Sequence, residues 1–145
     1  MENDPAFLRR LYDHRFDERR REEKQRIWKV LVESFFQKHV ASTAAVLDLG
    51  CGFGEFLNPL RCARRAGVDL QSEAPKHLEP GVEFHPGDVR DLSRFGDSTF
   101  DVVFTSNLME HLPSKDDVAR MVRSIAASSS RIARTAEALT RPVDS

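Results

Sequence analysis

The residues best suited to do chemistry run Asp48-Leu49-Gly50-Cys51-Gly52-Phe53-Gly54-Glu55. Glycine has no Cβ, so a turn built on it lets backbone N–H groups and the amino end of a following helix come close to a ligand. A dinucleotide site of this kind uses G-x-G-x-x-G and seats a pyrophosphate on the helix dipole. Here the glycines run G-x-G-x-G, and Glu55 stands where the third dinucleotide glycine would fall. A carboxylate there repels a pyrophosphate. It suits a zwitterionic amino-acid tail with a sulfonium cation beside it.

A glycine loop by spacing alone is a weak signal, and further acids strengthen it. Asp69 closes the next expected strand, about 20 residues beyond the loop, where a carboxylate accepts both ribose hydroxyls of an adenosine and disfavours a 2′-phosphate. Asp88, in Gly87-Asp88-Val89, closes the third strand, placed to accept from an adenine amino group while Val89 packs on the ring. Asp48, Asp69 and Asp88 thus end successive strands and gather at the carboxyl edge of the sheet, where open α/β folds bind ligands. Cys51 sits inside the turn, as a cofactor neighbour or as a small buried hydrophobe. Glu110 and His111, just past the fourth strand, lie where a general base or an acceptor contact belongs, and His111 serves equally as a helix-start or packing residue. Asn107 reads either as a cofactor or acceptor contact or as a polar strand end.

The elements that must hold these residues follow from the hydrophobic period. Ala45–Leu49, Gly67–Leu70, Val82–His85 and Phe100–Thr105 are short apolar runs ending at turn residues, as buried parallel strands do. Between the first two, a helix is expected over Glu55–Arg65, kinked or shortened by Pro59. Ser114, with Asp117 three positions on, opens another helix, whose inner face is Val118, Met121, Val122 and Ile125. Residues 6–40 read as helical, with Ile27, Val30, Leu31 and Phe35 as the apolar stripe and Trp28, Val32 and Phe36 widening it. The charged run Arg15–Arg26 reads as a solvated helix laced with ion pairs, against a lid or substrate-gripping arm. The expected organisation is a helical extension over 1–43, an α/β core over 44–127 and an irregular or weakly helical tail over 128–145. The fold class is α/β, a mostly parallel sheet of about four strands with flanking helices.

Composition narrows the function. The 145 residues suffice for one domain. A formal net charge of -1 and near-equal acids and bases argue against nucleic acid or an anionic membrane as partner. The polar amino terminus lacks the regions of a signal peptide, and the cysteines Cys51 and Cys62 form no CxxC or Cys/His cluster. A reducing cytoplasm and no metal are therefore expected. A nicotinamide oxidoreductase is opposed by Glu55 and by the lack of a hydride-handling Tyr-Lys pair.

The stretch Val46–Phe56 resembles the first motif of class I S-adenosylmethionine-dependent methyltransferases. Gly67-Val68-Asp69-Leu70 is similar to their second motif, Gly87-Asp88-Val89 to their adenine-contacting one, and Phe100–Asn107 to their fourth strand. Phe104–Lys115, with Glu110-His111-Leu112-Pro113, is similar to bacterial small-molecule methyltransferases of that superfamily. The likeness covers about residues 45–125. It implies a Rossmann-like sheet in strand order 3-2-1-4 and S-adenosyl-L-methionine as cofactor. It implies that Asp48, Gly50 and Gly52, within the Gly50-Cys51-Gly52-Phe53-Gly54 turn, hold the methionine part, Asp69 beside Leu70 the ribose, and Asp88 with Val89 the adenine. In that family a proline-glycine-glycine turn and an apolar fifth strand follow the helix near Met121, then two more strands. Ser128–Ser145 carries neither, so strands five to seven are expected to be missing and the fourth strand to be left with an open edge prone to self-association. Methyl transfer to a small molecule is the leading expectation; a non-catalytic or vestigial nucleoside-binding module is the alternative.

Overall fold

A computed structural model of the chain describes residues 18–97, 99–106 and 108–129. The expected helix before residue 18, Asn107, and the tail from residue 130 lie outside the described residues.

Strands β1 (Ala45–Leu49), β2 (Arg64–Asp69), β3 (Val82–Pro86) and β4 (Val102–Thr105) form one parallel sheet in the order β3-β2-β1-β4. This is the expected doubly wound order. Leu49 pairs with Val68 on one side and Thr105 on the other, and Val68 pairs with His85, so all four carboxyl ends reach one edge. Side chains alternate across a strand. Val46 therefore enters one core with Val32, Phe56 and Leu57, while Leu47 and Leu49 enter the opposite core with Phe100, Met121 and Ile125.

Helix α1 (Glu18–Ser34) is rich in Arg, Glu, Lys and Gln, which lose little rotamer freedom in a helix. It docks by a face rotated from the expected one. Val32 is fully buried and Trp28 and Phe36 are half-buried, whereas Leu31 and Phe35 are exposed, Ile27 is 54% exposed and Val30 63%. Aromatic packing explains the choice: Trp28 stacks on Phe36 at 6.2 Å and meets Phe56 and Phe104 edge-on, and Phe56 stacks on Phe104 at 3.8 Å. Two large rings bury more apolar area than Ile27 and Val30 could.

The helix expected over Glu55–Arg65 is replaced by a series of turns over 52–59, closed by Gly54 N–H to Cys51 O, Asn58 N–H to Gly54 O and Leu60 N–H to Leu57 O. Asn58 precedes Pro59 and so disfavours the helical region, and Pro59 has no N–H to continue a ladder. Partners outside the segment complete it. The Asn58 amide donates to His77 O at 2.9 Å and its oxygen accepts from Glu79 N–H at 2.9 Å, while Arg65 donates to the carbonyls of Leu57 and Asn58 at 3.0 Å. β2 accordingly starts at Arg64, ahead of the expected Gly67, and ends at Asp69 with Leu70 exposed beyond it.

Helix α2 (Lys115–Ser128) begins as expected at Ser114, whose hydroxyl oxygen accepts from Asp117 N–H at 3.2 Å. Met121 and Ile125 are buried, but Val122, assigned to the inner face from the sequence, is exposed. Val122 lies 100° around the helix from Met121, and the sheet reaches only the Met121 side. Phe100 lies outside the regular part of β4. Its N–H donates to Ser128 O at 3.1 Å, and it forms an isolated parallel bridge with Ser129.

Candidate active site

The turn after β1 is held from beneath: Gly50 N–H and Cys51 N–H both donate to Val68 O, at 2.8 and 3.2 Å. Gly50 has φ +75°, and a Cβ there would lie 3.2 Å from the Leu108 side chain. Gly52 has φ +52°, and a Cβ would meet only the Glu55 carboxylate, at 3.3 Å. The backbone at Gly52 is therefore bare and open to approach. Gly54 is packed instead, since a Cβ there would fall 2.6 Å from Leu78 and 2.8 Å from Asn58. Cys51 is buried against Gly67, where an added Cβ would lie 2.7 Å from its sulfur, and burial pushes its thiol well above the ordinary range.

Asp69 has a task the sequence does not disclose. One carboxylate oxygen accepts from Gly52 N–H and the other from Gln71 N–H, both at 2.8 Å. It thus buckles the glycine turn to the end of β2. A carboxylate offers about four acceptor sites, so capacity remains for a ligand. Asp48 lies inside β1, opposite Gly67 and Phe104, instead of ending the strand, and is only 4% exposed. Burial first, then the negative charges of Glu55 and Asp69, push its carboxyl well above the usual aspartate range. An acidic floor beneath a bare turn fits an ammonium or sulfonium cation and opposes a phosphate.

A cavity of about 290 Å³ opens at the carboxyl edge beside this turn. It brings together Gly50, Asp69, Leu70, Asp88, Val89 and His111 of the residues singled out from the sequence. Asp48, Cys51, Gly52, Gly54 and Glu110 do not line it; Glu110 is exposed on the 3-10 turn Met109–His111. Asn107 lies outside the described residues. Leu108, Leu112 and Pro113 complete one wall, and Arg90 lines the other side. Arg90 was missed because its role depends on Asp88 and on Asp117, which belongs to a different element.

The charged part of α1 leans over the glycine turn. Lys24 pairs with Glu55 at 3.4 Å, the Arg21 guanidinium lies 5.4 Å from the Phe53 ring centre, and Arg21 reaches His77 at 3.2 Å. Most neighbouring residues of the run are exposed, as expected of a solvated helix, but these two tether it to the site.

Solved structures that share this fold include methyltransferases. The chain is similar to a SAM-dependent methyltransferase of Archaeoglobus fulgidus, with TM-score 0.60 and 22% identity over 72% of this chain and 48% of that one. Phosphoethanolamine N-methyltransferase 1 of Haemonchus contortus, solved with phosphoethanolamine and S-adenosylhomocysteine, aligns with TM-score 0.60 and 20% identity over 74% and 24%. Magnesium protoporphyrin IX methyltransferase of Synechocystis PCC 6803, solved with bound SAM, aligns with TM-score 0.56 and 21% identity over 73% and 54%. At such identities the likeness shows the Rossmann-like fold of that class. The sequence pattern of the methyltransferase domain family matches residues 47–131, more than half of the chain, and the chain belongs to that family. It spans about half the length of several of the solved structures it matches. Among the described residues, no helix is long and apolar enough to cross a membrane.

Proposed function

We propose that this chain binds S-adenosylmethionine at the carboxyl edge of its sheet and takes part in methyl transfer to a small-molecule acceptor. The observation that carries the reading is one cavity lined jointly by Gly50 of the glycine turn, by Asp69 at the end of β2 and by Asp88 just past β3. Asp48, Gly50 and Gly52 receive the aminoacyl end, where the buried acid favours a cation. Asp69 receives the ribose hydroxyls while keeping its hold on Gly52 N–H. Asp88 and Val89 receive the adenine. The bound cofactor supplies a methyl group on a positively charged sulfur, displaced in line by the acceptor. The protein's part is to align the acceptor and exclude water. His111, on the cavity wall, and Glu110 beside it are the groups available to take a proton from a hydroxyl or ammonium acceptor. Both cysteines are free, which suits a reducing cytoplasm.

Calorimetric titration of the chain with S-adenosylmethionine and S-adenosylhomocysteine tests this directly: saturable binding of both is expected, and absence of binding defeats it. A second reading, a nucleoside-binding module without turnover, is favoured by β4, which among the described residues pairs in the sheet only with β1. Tight binding of the two ligands, with no methyl transfer to any of a panel of amines, phenols and carboxylates, selects it.

A further inference from the structure

Arg90 follows Val89 in the loop after β3 and lines the cavity described above. Its Nε donates to both oxygens of Asp88, at 3.0 and 2.9 Å, and its Nη2 adds a further bond to Oδ2. The Arg90 backbone N–H donates to Asp88 Oδ1 at 2.9 Å. On its other side, Nη1 donates to Asp117 Oδ1 at 2.9 Å, in the first turn of α2, whose Oδ2 accepts the Ser114 hydroxyl at 2.9 Å. The Ser124 hydroxyl, also on α2, donates to Arg90 O at 3.0 Å. The guanidinium is a rigid planar fork, so it fixes the plane of the carboxylate it grips. These hydrogen bonds hold the Asp88 carboxyl below its ordinary range and keep it an acceptor. Three N–H groups of Arg90 occupy most of the roughly four acceptor positions of Asp88, and its side chain, 41% exposed, keeps about one for a ligand.

We propose that Arg90 is a positioning residue that clamps Asp88 as an acceptor-only reader of the nucleobase, so that the pocket takes a 6-aminopurine and rejects a 6-oxopurine. The inference rests on the reading of this cavity as a nucleoside site. An exocyclic amino group donates to the clamped carboxylate. An oxo group in its place sets oxygen against oxygen, and the clamped carboxylate can neither turn away nor take up a proton to answer it. Without the fork, Asp88 rotates and hydrates freely, and the penalty on the oxo ligand falls.

The test measures the dissociation constants of S-adenosylhomocysteine and of its 6-oxo counterpart, S-inosylhomocysteine, on the wild-type chain, Arg90→Gln and Arg90→Lys. The wild type is expected to prefer the amino ligand by about 30-fold or more, the size of penalty that an unpaired hydrogen-bonding group brings. Arg90→Gln is expected to narrow the ratio to a few-fold. Arg90→Lys keeps the charge and the aliphatic stem but not the fork, so it reads the same quantity if Arg90→Gln does not fold, and an intermediate ratio is expected. A purely structural role weakens both ligands by one factor and leaves the ratio unchanged, and that result overturns the proposal. So does a wild type that binds the two equally. A wild type that binds neither overturns the nucleoside-site reading and this inference with it, whereas good binding with an unmoved ratio overturns this inference alone.

Discussion

Asp48 sits among acids, and its burial has a sign that can be measured. Its carboxyl ionises less readily in the folded chain than in the unfolded one, because burial and the charges of Glu55 and Asp69 oppose the anion. A raised native value means that the folded state binds the proton more tightly. The contribution of Asp48 to stability is therefore greatest below the unfolded aspartate range and falls as pH rises from there through the native value. Asp48→Asn removes this dependence. Its melting temperature should match the wild type near pH 3 and exceed it progressively toward neutrality, while its affinity for S-adenosylmethionine falls. A wild type that is more stable than the variant at pH 7 contradicts the account. Asp69→Ala removes charge-assisted acceptors for the ribose and also the buckle on Gly52 N–H, so calorimetry should show a loss of about 1–3 kcal/mol in S-adenosylmethionine binding. Gly52→Val places a branched side chain at φ +52° and fills an open approach. Binding should disappear; a variant that binds normally counts against the bare-turn assignment.

At the scale of elements, α1 shows how one residue of offset chooses a face. Trp28 and Val30 lie two positions apart, and a helix turns about 200° between them. Trp28→Ala should therefore cost about 3 kcal/mol in urea unfolding, because it strips the stack on Phe36 and the edges against Phe56 and Phe104. Val30→Ser, on the exposed side, should stay within about 0.5 kcal/mol of wild type. Equal effects of the two substitutions would mean that the helix docks by its other stripe. The turns over 52–59 carry a related lesson. Pro59 announced an interruption, but the clamps that replace the helix come from His77, Glu79 and Arg65 across the fold, and no local period reports them.

At the scale of the whole molecule, β4 pairs among the described residues only with β1 in the sheet, and Ile27, Val30 and Leu31 of α1, with Phe35 just past its end, are exposed. An edge left unpaired among the described residues, together with exposed apolar side chains, favours association. Sedimentation velocity should show a weight-average mass that climbs with concentration; a concentration-independent monomer removes the edge as an association surface. The existence of the four strands, the glycine turn and the acids Asp69 and Asp88 at the carboxyl edge were readable from the 145 residues, because each is written locally, whereas the strand order followed from the resemblance to a known family. A short apolar run must be buried, a glycine alone tolerates positive φ, and the two-residue period of a strand fixes which side chain meets which core. Only the tertiary structure decided that α1 docks through Trp28, that Asp69 also buckles the loop, and that Arg90 joins Asp88 to α2. Each of those depends on surfaces and charges that meet only after distant segments have packed, and residue spacing along the chain holds no record of such a meeting.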